Sequence, residues 1–296
     1  MDVVLPTPGT YVLGVSGGVD SRVLLDVLHK HAKDNGRYKF VVAHLDHGIR
    51  KDSIEDRRFV QALAKEYGLP FTYNTVDLGS GASEAHARQA RYAFLDHARL
   101  ASGAQAVITA HHQDDVLETA IINILRGSGR KGLTALSSRP ELLRPLLGVP
   151  KAELMSYAKD QGLTWREDIT NQDDSYLRNY VRHNMLPRFD DQARAQFLAI
   201  INKLQDLNTE LDRQLLAQLE AQDTPGTINR LWFNSLPHNV AKETLATWLR
   251  TRQLRNFDTK TLERLVVSAK TARPGQQFSL PGDHSMKVGK EYLALE

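Results

Sequence analysis

Near the N-terminus, an apolar segment, a loop rich in serine and glycine, and a second apolar segment follow one another directly. The loop has the sequence Ser16-Gly17-Gly18-Val19-Asp20-Ser21. Gly17 and Gly18 allow backbone conformations that side chains forbid, and the free N–H groups at the start of a helix bind anions. The hydroxyls of Ser16 and Ser21 add hydrogen-bond donors. An acid such as Asp20 fits an anion site if it binds the Mg²⁺ ion that accompanies phosphates. Together these residues predict a pyrophosphate-binding loop.

The loop differs from the two commonest phosphate-binding motifs. No Gly-Lys-Ser/Thr follows it, and its glycines do not have the G-x-G-x-x-G spacing. These differences count against a phosphate-transferring ATPase and against a dehydrogenase. A glycine-rich turn capped by serines is the alternative interpretation. The strand before the loop, the helix after it and the acid inside it favour phosphate binding.

Strand and helix patterns alternate over roughly the first 160 residues. Strands are predicted at 10–15, 39–44, 71–76, 106–109 and 142–147, and helices after the loop and at 53–67, 84–100, 113–125 and 151–161. This alternation predicts an α/β fold with a doubly wound parallel sheet. Polar clusters follow three of the strands, at 16–21, 44–50 and 111–115, where such sheets bind ligands.

A long amphipathic pattern then leads into a smaller C-terminal region. We expect three parts: a catalytic domain at 1–190, a linker helix at 191–224 and a small α+β domain at 225–296. The last part is predicted to contain two helices and a short β meander. A homodimer built through the long helix stays open.

Composition excludes several classes of site. The chain has no cysteine, which excludes disulfides, thiolate–metal sites, iron–sulfur clusters and persulfide chemistry. No signal peptide or membrane span is expected, so a cytoplasmic protein is predicted. The net charge of +3 is compatible with an RNA partner without requiring one.

The segment His111–Thr119 places several polar side chains at the start of a helix. Asp115 and Glu118 are three residues apart and share a helix face. These acids either complement the helix dipole, bind Mg²⁺ or bind a substrate ammonium group. A transition-metal site is a further alternative, with candidate ligands His44, Asp46, His47, His111 and His112. It lacks the spacing of helical zinc motifs.

Several motifs together resemble one family. They are Ser16–Ser21, His44-x-Asp46-His47-Gly48-x-Arg50, Glu84-x-x-x-Arg88-x-x-Arg91-Tyr92, His111-His112-x-Asp114-Asp115-x-x-Glu118-Thr119, Leu125–Gly129 and Asp168-x-Thr170-Asn171 through Arg178-Asn179-x-x-Arg182. The loop resembles the PP-loop of the N-type ATP pyrophosphatases. The complete set, over about residues 12–190, resembles the tRNA(Ile)-lysidine synthetase family.

The resemblance implies a PP-loop ATPase fold, like that of the adenine nucleotide alpha hydrolases, and a ligase that modifies tRNA. ATP would adenylate O2 of the wobble cytidine in the CAU anticodon of tRNA(Ile). The amino group of free L-lysine would then displace AMP. The expected products are lysidine, AMP and pyrophosphate, and decoding would change from AUG to AUA.

The resemblance also suggests roles for individual residues, with ATP and Mg²⁺ as cofactors. ATP is expected to contact Ser16, Gly17, Gly18, Val19, Asp20, Ser21, His44, Asp46 and Arg88. Catalysis is assigned to Asp20, Arg91, Asp115, Glu118 and Arg182. Mg²⁺ is assigned to Asp20 and Asp115, and lysine to Asp114, Asp115 and Glu118. Which acid binds lysine and which binds metal stays open, and a surface Glu84–Arg88 pair is the alternative for that helix face.

Basic residues predict contacts with tRNA. The candidates are Arg126, Arg130, Lys131, Arg178, Arg182, Arg255 and Lys260. Arg178 and Arg182 repel each other at a spacing of four, which favours an anionic ligand over a solvated face. The segment 126–132 is predicted to be a mobile basic loop, with a plain connection as the alternative. Longer family members carry a further C-terminal domain, and we expect this chain to end before it.

Four rival functions differ in what they require. A tRNA 2-thiolation enzyme on the same fold needs cysteine, which this sequence lacks. An NAD or GMP synthetase leaves the basic C-terminal region and the 168–182 motif unexplained. A non-catalytic RNA-binding relic predicts decayed motifs, whereas every expected polar position is present. A metal-dependent hydrolase remains as the last alternative.

Overall fold

A computed structural model describes residues 3–46, 48, 53–76, 84–166, 176–222, 224–254, 257–280 and 282–296. The chain forms two compact units, Met1–Asn202 and Lys203–Glu296. The three-part division expected from the sequence stays a prediction. None of the helices in the described ranges combines the length and hydrophobicity needed to cross a membrane.

The first unit contains a five-stranded parallel sheet. Its strands are β1 Thr10–Gly14, β2 Lys39–Asp46, β3 Phe71–Thr75, β4 Ala106–Ile108 and β5 Leu142–Leu143. Their spatial order is β3-β2-β1-β4-β5, with Val12 of the central strand opposite Val41 on one side and Val107 on the other. The expected strand at 142–147 is wrong in length. The backbone turns at Pro145, which has no N–H to donate to a strand ladder.

Helices cover both faces of this sheet. They are α1 Val19–Asn35, α2 Ser53–Glu66, α3 Glu84–Ala101, α4 Gln113–Leu125, α5 Arg130–Leu133, α6 Lys151–Asp160 and α7 Leu177–Tyr180. Along β1, Tyr11 and Leu13 pack into a core with α1, α2 and α6, whereas Val12 packs with Leu95 and Ala98 of α3. The alternation of strand side chains thus builds two apolar layers, as the doubly wound prediction requires.

The basic segment 126–132 is not simply a loop. Its second half begins α5, and the Asn123 side chain donates a hydrogen bond of 2.7 Å to the carbonyl of Gly132. A short π-helical turn at Val181–Met185 follows α7, and a 3-10 turn at Leu186–Arg188 precedes the long helix. That helix, α8, spans Asp191–Glu220.

The second unit has an α+β core of its own, as predicted. Its elements are β6 Ile228–Asn229, α9 Arg230–Ser235, α10 His238–Thr251, α11 Thr259–Thr271, β7 Gln277–Ser279, β8 Ser285–Val288 and β9 Tyr292–Leu295. The antiparallel sheet has the order β6-β9-β8-β7, so β6 extends the predicted meander by one strand. Phe233, Trp248 and Met286 are among the side chains buried in this core.

Candidate active site

The pyrophosphate-binding loop is folded around one hydroxyl group. Ser21 Oγ accepts hydrogen bonds from the backbone N–H groups of Ser16 and Gly17, both at 3.2 Å, and donates to the Gly18 carbonyl at 2.9 Å. Gly17 has a φ of +94°, a conformation that residues with side chains rarely adopt. The predicted loop residues therefore form a compact turn at the end of β1 that leads directly into α1.

Two of the residues predicted to contact ATP, His44 and Asp46, lie near the end of β2, the strand beside β1. His44 is buried, and its Nδ1 lies 2.8 Å from the Val15 carbonyl. Because a carbonyl only accepts, His44 carries its proton on Nδ1, and burial lowers the pKa of its ring. Asp46 Oδ1 accepts from the Gly48 N–H at 3.0 Å. Contact of His44 and Asp46 with ATP stays a prediction.

Asp20 lies in the first turn of α1 between two basic side chains. Its Oδ1 is 2.5 Å from Lys151 Nζ, and its Oδ2 is 3.6 Å from His112 Nε2. The same His112 nitrogen is 3.5 Å from Asp115 Oδ2. Burial alone would raise the pKa of Asp20, but His112 and Lys151 outweigh it and lower the pKa to about 2. Asp20 is therefore ionised at neutral pH, and its partners come from the starts of α4 and α6.

The acids of α4 are neutralised by arginines from α7 and the turn that follows it. Arg182 donates to both oxygens of Glu118, at 2.6 and 2.9 Å, and its Nη2 lies 3.4 Å from Asp115 Oδ1. Arg178 Nε is 3.8 Å from Glu118, whose side chain is 0% exposed. The repulsion expected between Arg178 and Arg182 is thus relieved by an anion of the protein itself. Contact of either arginine with RNA stays a prediction.

Asp114 connects three helices. Its Oδ1 accepts from the Lys151 backbone N–H at 3.0 Å, and its Oδ2 accepts from Arg194 Nη1 at 2.9 Å. These bonds join the start of α4 to the starts of α6 and α8. Burial alone would raise the pKa of Asp114, but the bonds from Lys151 and Arg194 keep it below its usual value. Lys151 and Arg194 were not among the residues predicted from the sequence.

A second group of charges surrounds His111, which follows β4. The arginines that act on it electrostatically are Arg91, Arg144, Arg88 and Arg178. Burial and these cations hold the pKa of His111 well below its usual value, and its Nδ1 lies 2.9 Å from Thr109 Oγ1. Such a density of guanidinium groups suits an anionic ligand. Arg144, buried within the unit, is a further residue that the sequence did not reveal.

The two arginines of α3 lie beside an aromatic ring. The guanidinium carbons of Arg88 and Arg91 are 5.0 and 5.5 Å from the centre of the Tyr92 ring. Burial alone would raise the pKa of Tyr92, but the nearby arginines, Arg88 first, lower it. The predicted Glu84–Arg88 pair cannot be compared, because the Glu84 side chain lies outside the described part of the chain.

The predicted tRNA-binding residues are distributed over both units. Arg126 is exposed at the end of α4, and Arg130 and Lys131 lie in α5. Lys260 is exposed on α11 of the second unit. Arg255 lies outside the described residues. The exposed positions are open to a large ligand, and their contact with RNA stays a prediction.

The carboxylates fit Mg²⁺ that arrives with phosphates better than a preformed metal site. Mg²⁺ is usually held by one or two carboxylates together with water and substrate phosphates. Asp20 and Asp115 are neighbours, because an oxygen of each lies within 3.6 Å of His112 Nε2. Their contact with Mg²⁺ stays a prediction. Within the described residues, no group of three or more His, Asp or Glu side chains has the arrangement of a metal site. This finding does not cover His47, a candidate ligand of the transition-metal alternative, because His47 lies outside those residues.

Comparison with known proteins decides the family. The PP-loop domain family matches residues 5–189. This chain belongs to that family. Membership implies that the domain binds ATP. The assignment of Ser16–Ser21 as its phosphate-binding loop stays a prediction.

Curated relatives of this PP-loop domain chain are named tRNA(Ile)-lysidine synthase. One from Thermus thermophilus is 36% identical over 281 residues, which cover 92% of this chain and 54% of the relative. One from Nitrosomonas europaea is 33% identical over 283 residues, covering 90% and 60%. One from a Thermotoga species is 39% identical over 187 residues, covering 60% and 45%. The chain thus spans about half the length of the curated relatives it matches.

A solved structure confirms the fold of the PP-loop domain. The U34-tRNA thiolase NcsA from Methanococcus maripaludis, determined with its 4Fe–4S cluster, superposes with a TM-score of 0.56. The match covers 69% of this chain and 74% of the thiolase, at 16% sequence identity. The likeness concerns the fold alone, since none of the 296 residues here is a cysteine that could bind such a cluster.

Proposed function

We propose that this chain ligates free L-lysine to C2 of the wobble cytidine in tRNA(Ile) with a CAU anticodon. ATP first transfers AMP to O2 of the cytidine: the O2–α-phosphorus bond forms, and the bond to the β-phosphate oxygen breaks. The amino group of lysine then attacks C2, and AMP leaves with O2. The observation that supports this proposal most strongly is the common name of relatives that are 33–39% identical.

The PP-loop and its neighbours suit the first step. The N–H groups of the loop and of the start of α1 would hold the β- and γ-phosphates. Asp20 and Asp115 would hold Mg²⁺, which neutralises charge on the departing pyrophosphate. Arg88 and Arg91, beside Tyr92, would hold the α-phosphate or the RNA phosphate next to it. The substrates and ATP would place this reaction in the cytoplasm.

The acids of α4 suit the second step, with different roles for each. Asp114 and Asp115 keep 18% and 13% of their side chains exposed, and we assign them to the ammonium and amino groups of lysine. Glu118 is wholly buried, so we assign it to positioning Arg182 beside the reacting atoms. Arg182 would then stabilise the charge on the leaving AMP.

Basic side chains of both units would bind the tRNA. Arg126, Arg130 and Lys131 lie in the catalytic unit, near the end of α4, where the anticodon loop would approach. Arg178 would contribute on the same unit, and Lys260 and Arg255 would contact phosphates from the second unit. Flexible single-stranded RNA, such as an anticodon loop, offers both phosphates and unstacked bases to such residues.

The direct test combines the purified protein with ATP, Mg²⁺, labelled lysine and a tRNA(Ile) transcript carrying CAU. We expect AMP and pyrophosphate to form only with tRNA present, and label to become bound to RNA. A methionine tRNA with the same anticodon and a tRNA(Ile) with cytidine replaced by uridine at the wobble position are the matched controls. ATP-independent hydrolysis of RNA, or RNA binding with no pyrophosphate release, would instead favour the hydrolase or the non-catalytic relic.

A further inference from the structure

Lys151 connects the PP-loop to the acids of α4, although no sequence motif marks it. It is the first residue of α6 and follows Pro150. Its backbone N–H donates to Asp114 Oδ1 at 3.0 Å, and its ammonium nitrogen lies 2.5 Å from Asp20 Oδ1. The main chain at Lys151 is therefore fixed, while the long side chain reaches the first turn of α1, next to the loop.

The Lys151–Asp20 pair is open to a ligand. The side chains of Lys151 and Asp20 are 36% and 29% exposed. The partners that the structure gives the Asp20 carboxylate are cationic or ionisable, Lys151 and His112. An ion pair that solvent reaches contributes little net stability, so a stronger anion or cation can separate its members.

A second lysine–aspartate pair, Lys30–Asp26, lies within α1 and is much less open to solvent at its carboxylate. Lys30 Nζ lies 2.8 Å from Asp26, whose side chain is only 5% exposed. Asp26 also accepts hydrogen bonds from the hydroxyls of Tyr67 and Tyr157, both at 2.7 Å. Asp26 thus has two hydroxyl donors in addition to its lysine, whereas the partners given for Asp20 are Lys151 and His112.

We propose that Lys151 binds the pyrophosphate portion of a nucleoside triphosphate and exchanges Asp20 for phosphate oxygens when the nucleotide arrives. A lysine ammonium is a compact charge that binds phosphate well. Asp20, once released, would be free to hold Mg²⁺ carried by the same phosphates. The exchange keeps each charge paired, since Lys151 gains a phosphate and Asp20 gains a cation. The inference rests on the proposed use of ATP, and not on the identity of the acceptor.

The experiment measures binding by calorimetry, without tRNA or lysine, for Lys151→Met and for the matched control Lys30→Met. The probes are ATP with Mg²⁺, inorganic pyrophosphate with Mg²⁺, and AMP, which lacks the β- and γ-phosphates. For Lys151→Met we expect ATP and pyrophosphate to bind at least about 10-fold more weakly, a loss of about 1.4 kcal/mol, while AMP affinity changes less than about twofold. Lys30→Met should lower the melting temperature and leave all three affinities unchanged. Lys151→Arg, which keeps the charge, should recover most of the pyrophosphate affinity.

Three results would overturn the inference: unchanged pyrophosphate affinity in Lys151→Met, an equal loss for AMP, or the same loss in Lys30→Met. Lys151→Gln serves as a second variant if Lys151→Met does not fold. The wild-type protein could fail to ligate lysine while Lys151→Met still weakens pyrophosphate binding. That result would count against the proposed function and would support this inference. Ligation assays and binding measurements on these proteins therefore test the proposed function and the role of Lys151 independently.

Discussion

Two of the aspartates in helix α1, Asp20 and Asp26, lie six residues apart and have opposite surroundings. Asp20, in the first turn, is 29% exposed and lies between Lys151 and His112. Asp26, further along, is 5% exposed and accepts from Lys30 and from two tyrosine hydroxyls. One helix thus has a carboxylate whose partners can be exchanged and another whose partners are fixed. Whether a ligand can separate a lysine–aspartate pair therefore depends on how exposed the pair is and on which other donors the carboxylate has.

The largest effect expected from this contrast is on catalysis at Asp20. Asp20→Ala should reduce ATP-dependent pyrophosphate formation at least about 100-fold. The variant would lose a proposed ligand of the Mg²⁺ that neutralises charge on the departing pyrophosphate. The free energy of unfolding should also fall, by at most about 2 kcal/mol, because the ion pairs that lower the pKa of Asp20 to about 2 are lost. Partial exposure of the Lys151–Asp20 pair keeps the loss below that limit. Pyrophosphate release measured with labelled ATP and a denaturant titration on the same protein give the two readouts. Consumption of ATP at the wild-type rate would show that Asp20 is only a counter-ion of Lys151.

At Asp26 we expect an effect on stability and none on nucleotide binding. Asp26→Asn should lower the free energy of unfolding by about 2 kcal/mol, because a buried amide cannot satisfy the tyrosine hydroxyls and the ammonium together. ATP affinity should stay within about twofold of wild type, as Asp26 lies away from the loop. Urea unfolding and calorimetry test both statements. A selective loss of ATP affinity in Asp26→Asn would remove the distinction between the two carboxylates.

A smaller effect is expected in the pH dependence of the free energy of unfolding. Burial alone would raise the pKa of Asp26, but the bonds from Lys30, Tyr67 and Tyr157 outweigh it and leave the pKa below its usual value. A carboxylate with a lowered pKa in the folded state contributes stability that is present above its unfolded pKa and is lost as pH falls through the folded pKa. Below about pH 4, therefore, the unfolding free energy of wild type should fall more steeply than that of Asp26→Asn. Parallel curves for the two proteins would contradict the assignment.

The smallest effect concerns a cation outside both pairs. Lys260, exposed on α11, should contribute about one unit to the slope of log affinity for tRNA against log salt concentration. Lys260→Ala should reduce that slope without changing ATP affinity, whereas Lys65→Ala, an exposed cation on α2, should leave it unchanged. Filter binding at several salt concentrations measures the slopes. Equal slopes for both variants and wild type would remove Lys260 from the tRNA surface.

Local patterns in the sequence predicted most of the fold. Apolar runs predicted β1, β2 and β4, and helical patterns predicted α2, α3, α4 and α6, all to within two residues. The failures were short elements. Strand β6 and helix α9 have two and six residues, too few to show a period, and β5 ended early, before Pro145.

The site was predicted only in part, for a physical reason. Ser16–Ser21 and the acids of α4 lie within short motifs, so their proximity to strand ends followed from the parallel sheet. Their counter-ions come from distant segments: Lys151 is 131 residues from Asp20, and Arg194 is 80 residues from Asp114. A single basic residue at the start of a helix has no pattern of its own, and only the folded chain brings it to its partner.

The lengths of the edge strands bear on how this protein behaves at high concentration. The five-stranded sheet ends at β3, of five residues, and at β5, of two. Short edge strands offer few unpaired backbone groups to a strand from another molecule, which is one way natural sheets resist edge-to-edge aggregation. Arg57 of α2 also lies over the exposed Tyr73 ring of β3, at 4.7 Å, which adds a charge beside that edge. Edge-to-edge pairing through β5 is therefore disfavoured.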